Sequence, residues 1–215
     1  MPKIKIAPSI LSAKKEKLQE EVNEIEPVAD LIHVDIMDGK FVPPKTFKAE
    51  EIKAVSSKLP KDVHLMVKHP IKDGFIEDYA DAGAKIITIH EECKDDIKEA
   101  FELIRSKGIK VGISINPPTP LDKIKQYIDD VGMVLIMSVN PGYPGQKFIP
   151  DVLPKVEELR KLKPELDIEI DGGINEETIG KAAKAGANVF VAGSAIFGKE
   201  DRVGTIKKLR EAAND

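Results

Sequence analysis

Residues 81–90 read DAGAKIITIH, and residues 184–193 read KAGANVFVAG. Each passes from a charged residue and an alanine to a glycine, Gly83 or Gly186, suited to ending a helix. Each then passes into a short apolar, β-branched run that suits a strand. Helix end, cap and strand are thus written twice, as an echo between two halves of the chain. Further short apolar runs lie near Ile4–Ser9, Leu31–Met37, Asp62–Val67, Lys110–Ile115, Met133–Val139 and Ile168–Asp171. With the runs at Ile86–His90 and Val189–Ala192 they make eight, and every gap has room for a helix and two loops. Eight strands alternating with helices predict an α/β fold, a (β/α)8 TIM barrel with outer helices, as one domain over 1–215. A doubly wound open sheet is the alternative, and even spacing without a linker favours closure. Ser12 is expected to cap a helix with the apolar stripe Leu18, Val22 and Ile25, and Asn175 to cap one that begins with Glu176 and Glu177.

Composition narrows the class. The 215 residues are 41% apolar and 33% charged, enough to build one sizeable core. Basic and acidic residues nearly balance, 33 against 37, so nothing points to nucleic acid or a membrane surface as partner. No apolar run approaches a membrane span, and MPKIKIAPSILSAKKEK at the start has no leader-like segment. The single cysteine, Cys93, cannot form an internal disulfide, which predicts a reducing, cytoplasmic setting. Homo-oligomerisation is compatible with the sequence and not specified by it.

In a barrel enzyme the chemistry sits at the C-terminal ends of the strands. Ser9, His33, Asp35, His64, His90, Asn116, Asn140 and Asp171 all fall in or just after predicted strands. Strand parity sorts them further. His33, Asp35 and Met37 share one face of the second strand, and His64 and Met66 share one face of the third. If those faces look into the barrel mouth, Asp171 reaches in from across it. Taken singly, His33 reads as a hydrogen-bonded core histidine, and Asp35 or Asp171 as a cap or ion pair. Taken together, two imidazoles and two carboxylates suit a divalent transition metal such as Zn, Mn, Fe or Co, which also accounts for charges inside an apolar run. Asp38 before Gly39 reads as a turn residue, and His69 as surface loop.

Three glycine-rich stretches follow the last three strands: NPGYPGQKF (140–148), DGGIN (171–175) and AGSAIFG (192–198). Backbone amides in such loops make anion sites, and the loops after strands seven and eight favour phosphate in this architecture. Met37, Met66 and Met137 each lie near a strand end, where they serve either as core filler or as a water-excluding cover.

These stretches, with IAPSILSA (6–13), IHVDIMDGKFVP (32–43), DVHLMV (62–67), VLIMSVNPGYPGQKF (134–148), IEIDGGIN (168–175) and FVAGSAIFG (190–198), resemble the ribulose-phosphate 3-epimerase family along almost the whole chain. The resemblance implies a metal-dependent isomerase of the pentose phosphate pathway that interconverts D-ribulose 5-phosphate and D-xylulose 5-phosphate. It implies one divalent metal on His33, Asp35, His64 and Asp171, with the two aspartates also forming the acid/base pair. It implies Ser9 and His64 beside the substrate, Met37, Met66 and Met137 lining it, and Gly142, Gly145, Gln146, Gly172, Gly173, Gly193 and Ser194 at the phosphate end. Three positions depart from the family's usual residues: Pro44 for asparagine, Pro118 for glycine and Pro144 for a small residue. A 3-epimerase of another ketose phosphate, such as D-allulose 6-phosphate, is the nearest alternative. A related decarboxylase would need a lysine in the stretch after Asp35, which reads Ile36-Met37-Asp38. A non-catalytic sugar-phosphate sensor would have no use for both aspartates and both histidines.

Overall fold

The computed structural model describes residues 2–143 and 145–214. Its eight strands are β1 (Lys5–Pro8), β2 (Ile32–Met37), β3 (Lys61–Met66), β4 (Ala84–His90), β5 (Lys110–Ile115), β6 (Met133–Met137), β7 (Asp167–Asp171) and β8 (Val189–Ala192). They form one all-parallel sheet in the order β1-β8-β7-β6-β5-β4-β3-β2. The seam between β1 and β2 is held at the top by a parallel bridge from Ser9 to His33. Lower down, the Asp30 amide donates to the Ile6 carbonyl and the Asp30 carboxylate accepts from the Ile6 amide, each at 3.0 Å. The barrel expected from the sequence is therefore the one observed.

The helices are α1 (Leu18–Ile25), α2 (Ala49–Ala54), α3 (Phe75–Asp81), α4 (Ile97–Ser106), α5 (Leu153–Leu162), α6 (Ile179–Ala185), α7 (Ser194–Phe197) and α8 (Arg202–Asn214). Outward strand residues such as Ile32, Val34 and Ile36 are buried under them, which is why the strands read as apolar on alternate positions. In α4, Asp96 caps the N-terminus by accepting from the Glu99 amide at 2.9 Å, and Ala100, Phe101 and Ile104 form the buried stripe. The opening motif closes as expected: α6 ends on Gly186 at φ +113°, where a Cβ would lie 2.7 Å from the Arg160 side chain.

Three local expectations are corrected. Ser12 caps nothing; it ends a 3-10 turn (Ile10–Ser12) whose cap is Ser9, and α1 starts only at Leu18. Asn175 accepts from the Glu177 and Thr178 amides and so caps a turn ahead of α6, whose first residue is Ile179. The β5–β6 connection carries two 3-10 turns (Leu121–Lys123 and Lys125–Tyr127) and no α-helix. Pro117, Pro118 and Pro120 lack amide donors, and the chain there makes a turn in which the Thr119 amide donates to the Asn116 carbonyl at 3.0 Å, so no α-helix can start.

Inward residues form layers. At the base, the Asp167 carboxylate accepts from Lys5, Lys110 and Asn188. Above it, Ala7, Ile86, Met133, Val189 and Val191 make a small apolar plug. The next layer is polar and fully buried: His33, Asp62, His64, Thr88, His90, Ser114 and Glu169. A core of this kind persists only where each charge has a partner, and it lies directly beneath the mouth.

Candidate active site

The mouth opens into a cavity of about 960 Å³ whose floor includes Asp35 and Asp171. Asp35 rises from β2, and its Oδ2 accepts from the Ser9 hydroxyl at 2.5 Å. Its Oδ1 lies 3.4 Å from His33 Nε2 and 3.3 Å from His64 Nδ1. Asp171, at the end of β7, brings Oδ2 to 3.8 Å from the same His64 nitrogen. One donor atom from each of His33, Asp35, His64 and Asp171 falls within 4.8 Å of all the others. His33 Nε2 is buried with no hydrogen-bond partner and is aimed into this group. Two imidazoles and two carboxylates that close suit a divalent transition ion. The strand pattern that separated these residues from Ile32, Val34 and Ile36 thus brings all four together.

Their protonation is set by the surroundings. Burial pushes the Asp35 carboxyl up, but the neighbouring His33 charge overcomes it and holds the group well below its ordinary range. Burial pushes Asp171 the same way, the Asp35 charge adds to it, and the result is about 7. One carboxyl is therefore ionised while the other keeps its proton to near neutrality. Burial lowers His64 to about 4 against the pull of Asp35. Burial also opposes a charge on His33, yet Asp35 and Asp62 on either side raise it well above the usual imidazole range.

Asp62, Glu169 and His90 belong to this apparatus and were given no role from the sequence. Asp62 Oδ2 lies 2.8 Å from His33 Nδ1. Burial and the Asp62 charge push the Glu169 carboxyl well up, so it stays a neutral acid beneath the site. Parity was the available signal: Asp62 shares a face with His64, Glu169 with Asp171 and His90 with Thr88. Thr46 and Ser138 are supports of another kind. The Thr46 hydroxyl donates to the Asp35 carbonyl at 2.6 Å, and the Ser138 hydroxyl to the Gly172 carbonyl at 2.7 Å.

The cavity wall includes Ser9, Met37, Met66, Met137, Gly142, Gly145, Gln146, Gly172, Gly173, Gly193 and Ser194. Met37 and Met66 pack with Val42, Leu11 and Phe41, whereas Met137 packs across the mouth with Leu135 and Val139. The Gln146 amide donates to the carbonyls of Asn140 and Tyr143, tying its own loop together. Gly172 and Gly173 have φ of +124° and +66°. A Cβ at Gly172 would sit 2.8 Å from the Val139 amide nitrogen, and one at Gly173 2.4 Å from that of Phe148, so only glycine fits. Pro44 lies behind the wall, where a side chain at Gly142 would meet it at 3.8 Å, and Pro118 is exposed in a turn. Pro144 lies outside the described residues. His69, half-buried, faces Asp95 at 2.9 Å, away from the mouth. No helix among the described residues is long and apolar enough to cross a membrane.

A profile of the Ribulose-phosphate 3 epimerase family matches residues 5–197. A Ribulose-phosphate 3-epimerase of Bacillus subtilis (strain 168) is 45% identical, covering 96% of this chain and 98% of the relative. One of Escherichia coli (strain K12) is 42% identical over 95% and 94%. Among solved structures, a 3-hexulose-6-phosphate synthase from Salmonella typhimurium superposes with a TM-score of 0.72 at 19% identity, covering 98% of this chain and 99% of that one, a likeness of fold alone. With a family profile over nearly the whole chain, and relatives above 40% identity matched almost end to end, the chain belongs to the ribulose-phosphate 3-epimerase family.

Proposed function

We propose that residues 1–215 act as one catalytic domain that interconverts D-ribulose 5-phosphate and D-xylulose 5-phosphate by moving a proton at C3. The observation that carries this reading is the aspartate pair, Asp35 on β2 and Asp171 on β7, brought together at the floor of the cavity with the buried imidazoles of His33 and His64. Epimerisation next to a ketone needs a base on one face of the carbon and an acid on the other, and two carboxyls reaching the cavity from different strands can supply both. Asp35 takes the C3 proton, Asp171 returns one from the opposite face, and the roles exchange in the reverse direction. A divalent ion (Zn, Mn, Fe or Co) held by His33, Asp35, His64 and Asp171 would supply Lewis-acid stabilisation of the charge developing on the substrate oxygens. The Ser9 hydroxyl fixes the Asp35 carboxylate in its rotamer. Met37, Met66 and Met137 keep water from the reacting carbons, which strengthens every charge interaction beneath them.

Gly142, Gly145, Gln146, Gly172, Gly173, Gly193 and Ser194 would receive the phosphate on backbone amides. Gly172→Ala tests that role. Its Cβ would strike Val139 at a φ that β-carbon residues avoid, so the loop must shift. The expected outcome is a rise in KM of about tenfold or more, equivalent to about 1.4 kcal/mol of lost binding, with kcat changed less. An unchanged KM in a folded variant removes this loop from the phosphate site.

The decisive experiment is a coupled epimerase assay on D-ribulose 5-phosphate and on D-allulose 6-phosphate, with and without added divalent metal. Preference for the pentulose phosphate is expected. Pro44 stands behind Gly142 and not in the cavity wall, which gives it no direct hold on substrate length. Absence of turnover on the pentulose phosphate in every metal condition rejects the assignment.

A further inference from the structure

Behind His64 a chain of hydrogen bonds runs away from the cavity. His64 Nε2 and His90 Nε2 are 2.8 Å apart, and both rings are fully buried. The ring centroids are 4.9 Å apart with planes inclined by 26°, so the imidazoles meet edge to edge, as an N–H···N bond requires. His90 Nδ1 faces Glu92 Oε2 at 3.1 Å. The other oxygen, Oε1, accepts from the Asn116 amide at 2.9 Å and from the Thr119 hydroxyl. Lys155 on α5 pins that turn by donating to the carbonyls of Pro117 at 2.7 Å and Thr119 at 2.6 Å.

We infer that Glu92 is a positioning residue that sets the tautomer of His64 through His90. The inference rests on the metal centre proposed above, and its logic is one of donors and acceptors. An ionised carboxylate only accepts, so His90 carries its proton on Nδ1. Neutral His90 then offers a lone pair at Nε2, and His64 donates its own Nε2–H to it. That leaves the lone pair of His64 on Nδ1, the atom 3.3 Å from Asp35 Oδ1 and 3.8 Å from Asp171 Oδ2. The reverse arrangement, with His90 donating, would put a proton on His64 Nδ1 and close that position to a cation. On the other ligand the same device is one link shorter, since Asp62 Oδ2 faces His33 Nδ1 directly at 2.8 Å. Burial raises the Glu92 carboxyl, but bonds from His90, Thr119 and the Asn116 amide bring it down to about 2, in keeping with a permanent acceptor. Partners that orient metal-ligating histidines from behind are a general requirement of such centres.

Glu92→Gln reverses the relay by a single atom. The Asn116 amide and the Thr119 hydroxyl still need an acceptor, so the glutamine carbonyl takes the place of Oε1 and its NH2 faces His90 Nδ1. His90 must then accept at Nδ1 and donate at Nε2, and His64 is driven to the wrong tautomer. The test uses the full-length zinc-loaded protein, with histidine side-chain 15N spectra and zinc affinity from competition with a chromophoric chelator. Wild type is expected to show His64 protonated at Nε2 and His90 at Nδ1. In Glu92→Gln the His90 proton should move to Nε2 and zinc affinity should fall by about 10–100-fold. Wild-type spectra with the His90 proton on Nε2 overturn the relay without recourse to any variant. Unchanged zinc affinity in folded Glu92→Gln overturns it as well, leaving the metal centre standing. A wild-type protein that binds no zinc, manganese, iron or cobalt overturns the metal centre and the relay together.

Discussion

Asp35→Asn and Asp171→Asn should each abolish turnover, and they should shift stability in opposite directions. An asparagine neither takes nor returns a proton, so each variant loses one acid–base step, a factor of roughly 10²–10⁴ for each step. The two-step exchange cannot be completed with one partner missing, so the observed loss should approach the assay limit. Stability separates the pair. Asp171 in the folded chain keeps its proton to about 7, against 3.8 for the ordinary group. Its contribution to stability is fully present below the unfolded value and is lost as pH rises through about 7. Metal-free wild type therefore carries a penalty of a few kcal/mol near about pH 8, at 1.36 kcal/mol per pKa unit. Asp171→Asn removes that penalty and should melt higher than wild type there. Asp35 is depressed, so its stabilisation is present above the unfolded value and lost as pH falls. Asp35→Asn discards it and leaves His33 beside Asp62 alone, and it should melt lower at neutral pH. Epimerase turnover in either variant would sink the two-carboxyl assignment, and equal melting shifts would sink the opposed protonation.

What could be read from the chain divides along physical lines. The strands were legible because a parallel barrel buries both faces of each strand, which concentrates β-branched residues in short runs between glycine stops. The residues His33, Asp35, His64 and Asp171 were legible because polar groups in such runs are costly and parity fixes which face they share. Asp62 and Glu169 were missed because each has a plain reading as a strand-end charge, and only the closed barrel brings them beneath His33. Glu92 was missed for a related reason: its partners, Asn116 and Thr119, belong to the next β/α unit, and no local pattern records that contact. The β5–β6 connection was misread because a helix was expected in every gap, whereas the three prolines in NPPTP override that period.

Chelation should remove activity and added divalent metal restore it, and the pH dependence of metal uptake should report which groups hold the ion. In the metal-free protein His33 is protonated well above its usual range, and Asp171 keeps its proton to about 7. His64, at about 4, carries no charge to displace. An ion entering among the four donors must therefore expel protons from His33 and Asp171, because coordination requires a neutral imidazole and an ionised carboxylate. Affinity must rise with pH. Below about pH 7 the logarithm of the binding constant should climb by about two per pH unit, and above it by about one, as Asp171 has by then ionised unaided. Chelator competition across pH gives the slope, and calorimetry in buffers of different ionisation heat counts the released protons independently. A binding constant flat between about pH 5 and 7 would show that the ion does not sit on these donors, and full turnover after verified metal removal would show that the reaction does not need it. The expected curve differs from that of a surface carboxylate cluster, whose groups ionise near 4 and leave uptake independent of pH over the same range.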